Sequence, residues 1–157
     1  MNGVGLGVDA HAIDTSRPLV LGGVFIPDSP GLAGHSDADV VCHAIADAVL
    51  GAAHLSDLGA MFPADERWRD ASSLDILTET AETVRAAGWT IASVDATVLL
   101  ESPRLAPYRD GMIAAVSSAL HVARDVVWIK ATTTDGLGFV GRREGVTAIA
   151  VALLERG

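Results

Sequence analysis

The stretch Gly3-Val4-Gly5-Leu6-Gly7-Val8-Asp9-Ala10-His11 decides the fold. Val4 to Val8 reads as a short apolar strand. Side chains alternate across a strand, so Gly3, Gly5 and Gly7 share one face and leave room for a closely approaching neighbour. The strand ends in Asp9-Ala10-His11. Residues two apart point the same way, so Asp9 and His11 present a carboxylate and an imidazole together, which is half a metal site.

Outward from this strand, Pro18 to Pro27 reads as a hairpin turning at Gly22-Gly23. Ser36 or Asp37 can cap a helix running through Val40, Ala44, Ile45, Ala48 and Val49 to Gly51–Ala53. A capping box of Ser72 with Asp75 opens a second helix that lasts to Gly88. Thr90 to Leu100 reads as a strand, Ser102-Pro103 as a turn and Pro107 to His121 as a third helix. Val126 to Thr134 and Val146 to Leu154 read as further strands. With no repeat or linker, residues 1–157 are expected to form one α/β (α+β) domain with a single mixed sheet.

The composition limits the function. The 157 residues hold 11 Lys and Arg against 20 Asp and Glu, a net charge of −9. That balance disfavours capture of nucleic acid through its phosphates and of an anionic membrane surface. If the protein handles a phosphorylated small molecule, bound cations or aimed N–H groups must overcome its own charge locally. No apolar stretch reaches the roughly twenty residues of a membrane span. The single Cys42 forbids an internal disulfide and, with no secretory signal in view, a reducing cytoplasm is expected. Cys42 and the scattered Trp68, Trp89 and Trp128 are assigned to packing.

Four groups of residues could carry chemistry. Along the first helix Asp39, His43 and Asp47 recur at spacings of four, and His43 could complete the site begun by Asp9 and His11. One carboxylate and two imidazoles suit Zn²⁺ and leave a fourth position open for substrate. The bland alternative is a solvent-facing Asp and His with an unrelated His43 satisfied by Asp47. His35-Ser36-Asp37 stands at a helix N-terminus, where free N–H groups attract anions, although simple capping explains it too. The run Lys130 to Phe139, a Thr-rich strand entering a glycine loop, gathers hydroxyls, N–H groups and Asp135 in a way that suits phosphate with Mg²⁺, but ordinary strand propensity also yields it. The basic pair Arg142-Arg143 could clamp an anion, although with Glu144 adjacent a plain surface ion pair is just as natural.

Taken together, Gly5 to His11, His35-Ser36-Asp37-Ala38-Asp39-Val40 and the Thr132 to Phe139 run resemble, in order and spacing, the 2-C-methyl-D-erythritol 2,4-cyclodiphosphate synthase family. The resemblance implies a homotrimer of α/β subunits, helices on one face of the sheet, with active sites between neighbours. Each site would use Zn²⁺ and a second divalent ion, Mg²⁺ or Mn²⁺. It further implies that 4-diphosphocytidyl-2-C-methyl-D-erythritol 2-phosphate closes to the cyclic diphosphate with loss of CMP, a phosphorus-oxygen lyase reaction of the non-mevalonate isoprenoid route. By likeness, Asp9, His11 and His43 hold the Zn²⁺, Asp135 the second cation, and His35 and Thr133 steady the transition state. Asp57 and Gly59 meet the ribose. Leu100 to Ala106, including Pro103, Arg104 and Leu105, joins Ala131 and Thr132 around cytosine, and Ser36, Phe62, Asp65, Thr134, Phe139 and Arg142 complete the substrate-binding set.

Departures from the family pattern qualify this expectation. Asp135 stands in place of a usual Glu, Arg104 of a Lys, Ala38 of a Gly and Ala64 of an Asp. Ile149 occupies a position where some members place a Glu near the trimer axis. The alternatives that remain are a catalytically weakened trimeric relative that still binds CMP or phosphate, and a zinc phosphohydrolase giving linear products.

Overall fold

The glycine strand runs beyond its apolar stretch, with β1 covering Asn2–Asp14 in a computed structural model that describes residues 1–157. It pairs antiparallel with β7 (Gly145–Glu155) along its length and with β4 (Gly31–Leu32) at its far end. β7 also pairs antiparallel with β5 (Thr90–Leu99), and β5 runs parallel to β6 (Val127–Thr132). The result is one mixed sheet in the order β4-β1-β7-β5-β6. The hairpin of β2 (Leu19–Leu21) and β3 (Val24–Ile26) stands apart as a two-stranded ribbon. Its Gly22 and Gly23 have φ of 56° and 75°, the left-handed pair that a two-residue type I′ turn requires.

The glycines act as the first strand suggests. A Cβ on Gly3, Gly5 or Gly7 would overlap the carbonyl oxygen of Ala52, Ala48 or Ala44 respectively, all on α1 (Val40–Ala52). Two strand residues advance about 6.7 Å and four helical residues about 6 Å, so β1 and α1 step together in opposite directions. The next β1 residue of the same parity is Asp9, which comes level with the first turn of α1 and therefore with His43.

The remaining helices are α2 (Leu58–Met61), α3 (Ser73–Ala86), α4 (Arg109–Leu120) and α5 (Gly138–Gly141). Core side chains alternate with exposed ones along the sheet, and Val94, Ala96, Val98, Ala148, Ala150 and Ala152 are buried beneath the helices. On the opposite face Val4, Leu6 and Val8 are 68%, 64% and 56% exposed, so the helices cover one face only. None of the helices is long and apolar enough to cross a membrane.

Several local expectations change. The cap of α1 is Asp39, not Ser36 or Asp37. Its buried carboxylate accepts Cys42 N–H at 3.1 Å together with Gly22 and Gly23 N–H at 2.9 and 2.7 Å. The glycine turn supplies two donors that only a carboxylate at this position meets. Asp37 is thereby freed and accepts Ser73 N–H at 2.8 Å at the start of α3. Ser72 accepts Leu74 N–H, and the reciprocal half of a Ser72–Asp75 box does not form. The third expected helix divides into a 3-10 turn over Ala106–Tyr108 and α4, ending at left-handed His121. β6 stops at Thr132, with Thr133 and Thr134 in the following loop. Trp68 and Trp89 are buried as expected, but Trp128 on edge strand β6 is 52% exposed with the Arg109 guanidinium 5.5 Å from its ring centre.

Candidate active site

Asp9 Oδ2, His11 Nε2 and His43 Nδ1 converge. Asp9 Oδ2 lies 2.8 Å from His11 Nε2 and 3.2 Å from His43 Nδ1, and the two nitrogens are 3.3 Å apart. Ligand bonds of about 2.0 Å in a tetrahedral site place ligand atoms about 3.3 Å from one another, so these edges suit a small divalent cation. His11 Nδ1 faces the Ala33 carbonyl at 2.7 Å. A carbonyl only accepts, so Nδ1 carries the hydrogen and Nε2 turns a lone pair into the cluster. A carboxylate and imidazole lone pairs aimed at one point need a proton or a cation between them. His43 has no bond to Asp47, whose carboxylate instead accepts Leu58 N–H at 3.0 Å and anchors α2. This rules out the alternative in which His43 and Asp47 satisfy each other.

The cluster's protonation follows from the same geometry. Burial opposes charge on His11, but the hydrogen bond and charge of Asp9 outweigh it and raise His11 above its usual 6.5. Burial likewise pushes Asp9 up, yet hydrogen bonds and charge from His11 and His43 bring it down to about 2. A raised imidazole contributes stability that is full below 6.5 and is lost as pH rises through its folded value. A bound cation needs that nitrogen unprotonated. The rise in Tm on adding Zn²⁺ to chelator-treated protein should therefore grow as pH increases from about 6 to about 8. Calorimetry with and without metal checks this, and a metal-induced rise that stays constant or shrinks would contradict it.

Beside the cluster, a pocket of about 140 Å³ is lined by His11, His43, His35, Ser36 and Phe62, with Trp68 and Ala64 closing it. His35 Nε2–H donates to the Asp65 carbonyl at 2.6 Å, which ties the His-Ser-Asp motif to the loop between α2 and α3. The Asp65 carboxylate is already occupied, accepting Arg67 N–H at 3.0 Å. Phe62 packs edge-on against Trp68, ring centres 4.7 Å apart. Asp57 caps α2 by accepting Ala60 N–H at 2.8 Å, with Gly59 exposed beside it. Ala38 takes φ 57°, a conformation that favours Gly, so the approach to α1 carries a backbone strain.

A second pocket, of about 280 Å³, gathers Leu100, Pro103, Arg104, Leu105 and Ala106 with Ala131, Thr132 and Thr133. It lies at the same end of the sheet as the cluster. Asp9 pairs with Ala148, Ala148 with Val98 and Val98 with Ala131, so Asp9 and Ala131 share one cross-strand row. Three strand spacings of about 4.8 Å separate them, about 14 Å in all.

The Thr-rich loop folds on itself. Thr133 Oγ1 donates to Asp135 Oδ1 at 3.3 Å and accepts Asp135 N–H at 3.2 Å. Asp135 is outside the Asp9, His11, His43 cluster in the single chain. Thr134 Oγ1 lies 2.7 Å from the Leu137 carbonyl, and Phe139 is 44% exposed. Arg142 is held by Glu144 at 2.8 and 3.3 Å, the surface ion pair that was the plainer of its two readings. Two of the site's supporting contacts have no signal in the local sequence. Glu101 accepts Thr134 N–H at 2.9 Å and fixes the loop's entry. Arg17 donates to the carbonyls of Gly34 and Ser36. Both partners lie 17 or more residues away in sequence, so no local motif points to them.

Comparison with known proteins gives this geometry a context. The YgbB family model matches residues 3–155. A 2-C-methyl-D-erythritol 2,4-cyclodiphosphate synthase of Salinibacter ruber is 54% identical over 153 residues, covering 97% of this chain and 98% of its own. The bifunctional IspDF of Campylobacter jejuni superposes with a TM-score of 0.95 at 35% identity, and the whole of this chain spans 43% of that longer protein. The Plasmodium falciparum IspF, solved as a CDP complex, gives a TM-score of 0.86 at 28% identity, with 99% of this chain and 96% of that one covered.

Proposed function

Since the chain belongs to the YgbB family over residues 3–155, we propose that its converging Asp9, His11 and His43 serve the reaction named for its relatives. The protein is accordingly read as a 2-C-methyl-D-erythritol 2,4-cyclodiphosphate synthase, a phosphorus-oxygen lyase. In that reaction an oxygen of the substrate's 2-phosphate bonds to the β-phosphorus. The bond between the β-phosphorus and the oxygen bridging to the α-phosphorus breaks, and CMP leaves with its electrons. The single observation that carries the reading is the three-ligand cluster, which leaves room for a substrate oxygen beside it.

In this reading Asp9, His11 and His43 hold Zn²⁺, and Asp135 holds Mg²⁺ or Mn²⁺. Bound there, the cations supply charge that polarises phosphate oxygens and offsets the −9 of the chain. The protein's own work is positioning, because phosphoryl transfer needs aligned reactants more than a nucleophilic side chain. The pocket around Leu100 to Ala106, Ala131 and Thr132 holds cytosine through backbone groups, and Arg104 meets phosphate as a planar fork. His35 and Thr133 flank the reacting phosphates, Asp57 and Gly59 meet the ribose, and Ser36, Phe62, Asp65, Thr134, Phe139 and Arg142 complete the surround.

The chain is further read as one domain over residues 1–157 that works in the cytoplasm as a homotrimer with active sites between subunits. Two observations support the trimer. The open sheet face carries exposed Val4, Leu6, Val8, Ile149 and Val151, an apolar patch of the kind that marks a protein interface. The cluster and the second pocket stand about 14 Å apart within one sheet, and Asp135 lies outside the cluster in the single chain, an arrangement that a neighbouring subunit would complete. Assay of CMP release from the cytidyl substrate, with Zn²⁺ and Mg²⁺ and again after chelation, tests the reading. Release that stops on chelation and returns with metal supports it. CMP bound without turnover would favour the weakened relative instead.

A further inference from the structure

The geometry points to Ser73 and Asp37 as a relay that fixes the tautomer of His43 and so presents its Nδ1 lone pair to the metal. The inference rests on the metal reading of the Asp9, His11, His43 cluster. Packing of α1 on the β1 glycines places the His43 backbone, but it leaves open how the ring turns and which nitrogen carries the hydrogen. A neutral imidazole protonated on Nδ1 would aim a hydrogen at the point where the cation belongs.

Ser73 removes that freedom. Its Oγ lies 2.8 Å from His43 Nε2, and the residue is fully buried. A serine hydroxyl has one hydrogen. Ser73 gives it to Asp37 Oδ1, while Asp37 Oδ2 accepts Ser73 N–H at 2.8 Å. Held from both its hydroxyl and its backbone, Ser73 has only lone pairs left for His43, so Nε2 must donate. Nδ1 is then bare. Asp37 also accepts Asp39 N–H at 3.1 Å, which locks the carboxylate between the start of α3 and the approach to α1. Its negative charge, passed through the hydroxyl, strengthens the imidazole as a donor to a cation. Ser36 Oγ is the competing neighbour at 3.2 Å from the same nitrogen. Its hydrogen is committed to no carboxylate, so it can follow His43 but cannot dictate to it.

Ser73 and Asp37 are therefore positioning residues, and a metal-affinity measurement separates that role from general support of the fold. Zn²⁺ affinity is measured by chelator competition on the wild type, Ser73→Ala, Ser36→Ala and Asp37→Asn. The metal-free Tm and the imidazole ¹⁵N spectrum of each are recorded alongside. Ser73→Ala should weaken Zn²⁺ about 10- to 100-fold and turn His43 from the Nε2–H tautomer to a mixture. Ser36→Ala should keep the Zn²⁺ affinity and the His43 tautomer of the wild type. Asp37→Asn, whose amide oxygen still accepts from Ser73, should keep the tautomer while losing affinity. Equal Zn²⁺ affinity in wild type and Ser73→Ala, or a mixed His43 tautomer in the metal-free wild type, would overturn the relay. If Ser73→Ala does not fold, unchanged affinity in Asp37→Asn does so. A wild type that binds no Zn²⁺ would instead refute the metal reading, and the metal-free spectrum would still decide the tautomer.

Discussion

A His43→Ala chain is expected to lose nearly all of its bound Zn²⁺ and with it the release of CMP, while keeping its fold. Structural zinc sites with four ligands bind with about 10–16 kcal/mol, so one ligand is worth about 3 kcal/mol, or on the order of 100-fold in affinity. Cation charge on the reacting phosphates is worth several kcal/mol, and losing about 4 of them slows turnover about 10³-fold. The fold survives because His43 points from α1 into a pocket and Ala suits a helix interior. Elemental analysis reads the metal and far-UV circular dichroism reads the helices. Unchanged zinc content would remove His43 from the site.

The second large effect is on stability. Gly5→Ala would drive a Cβ into the Ala48 carbonyl oxygen, with the Ala52 backbone nitrogen close behind. Neither neighbour is a flexible side-chain end that could move aside, because both belong to the backbone of α1. The substitution is expected to cost about 3 kcal/mol, the upper part of the overpacking range. Separation of β1 from α1 would also pull Asp9 and His11 away from His43, so metal affinity should fall together with Tm. Thermal melts of wild type and variant check the first effect and chelator competition the second. A Gly5→Ala protein with unchanged Tm would show that the helix does not depend on this contact.

These two predictions mark what was legible in the sequence. The period-2 alternation of a strand is strict, so Gly3, Gly5 and Gly7 announced a close neighbour, and Asp9 and His11 announced a shared direction. The hairpin at Gly22-Gly23 was legible for the same local reason. The cap of α1 was not, because Ser36, Asp37 and Asp39 are all good caps and the choice was made by two N–H groups of a turn 16 and 17 residues upstream. Asp37 then became available to Ser73, 36 residues downstream, a partnership that spacing along one helix cannot reveal. Glu101 and Thr134 are likewise joined only by the turn of the chain after β5 and β6. Asp135 was the least legible, since in the folded chain its carboxylate meets only its own loop, through Thr133, and stands outside the cluster.

The net charge of −9 and the three-ligand cluster meet in one chemical requirement, that cations stand between an acidic protein and its anionic substrate. Incubating the protein with 4-diphosphocytidyl-2-C-methyl-D-erythritol 2-phosphate, Zn²⁺ and Mg²⁺, and following the products by phosphorus NMR, tests that requirement most directly. The account predicts CMP and the 2,4-cyclic diphosphate in equal amounts, neither forming when a chelator is present. Linear phosphate products, or a cyclic product that forms undiminished in the presence of the chelator, would contradict it.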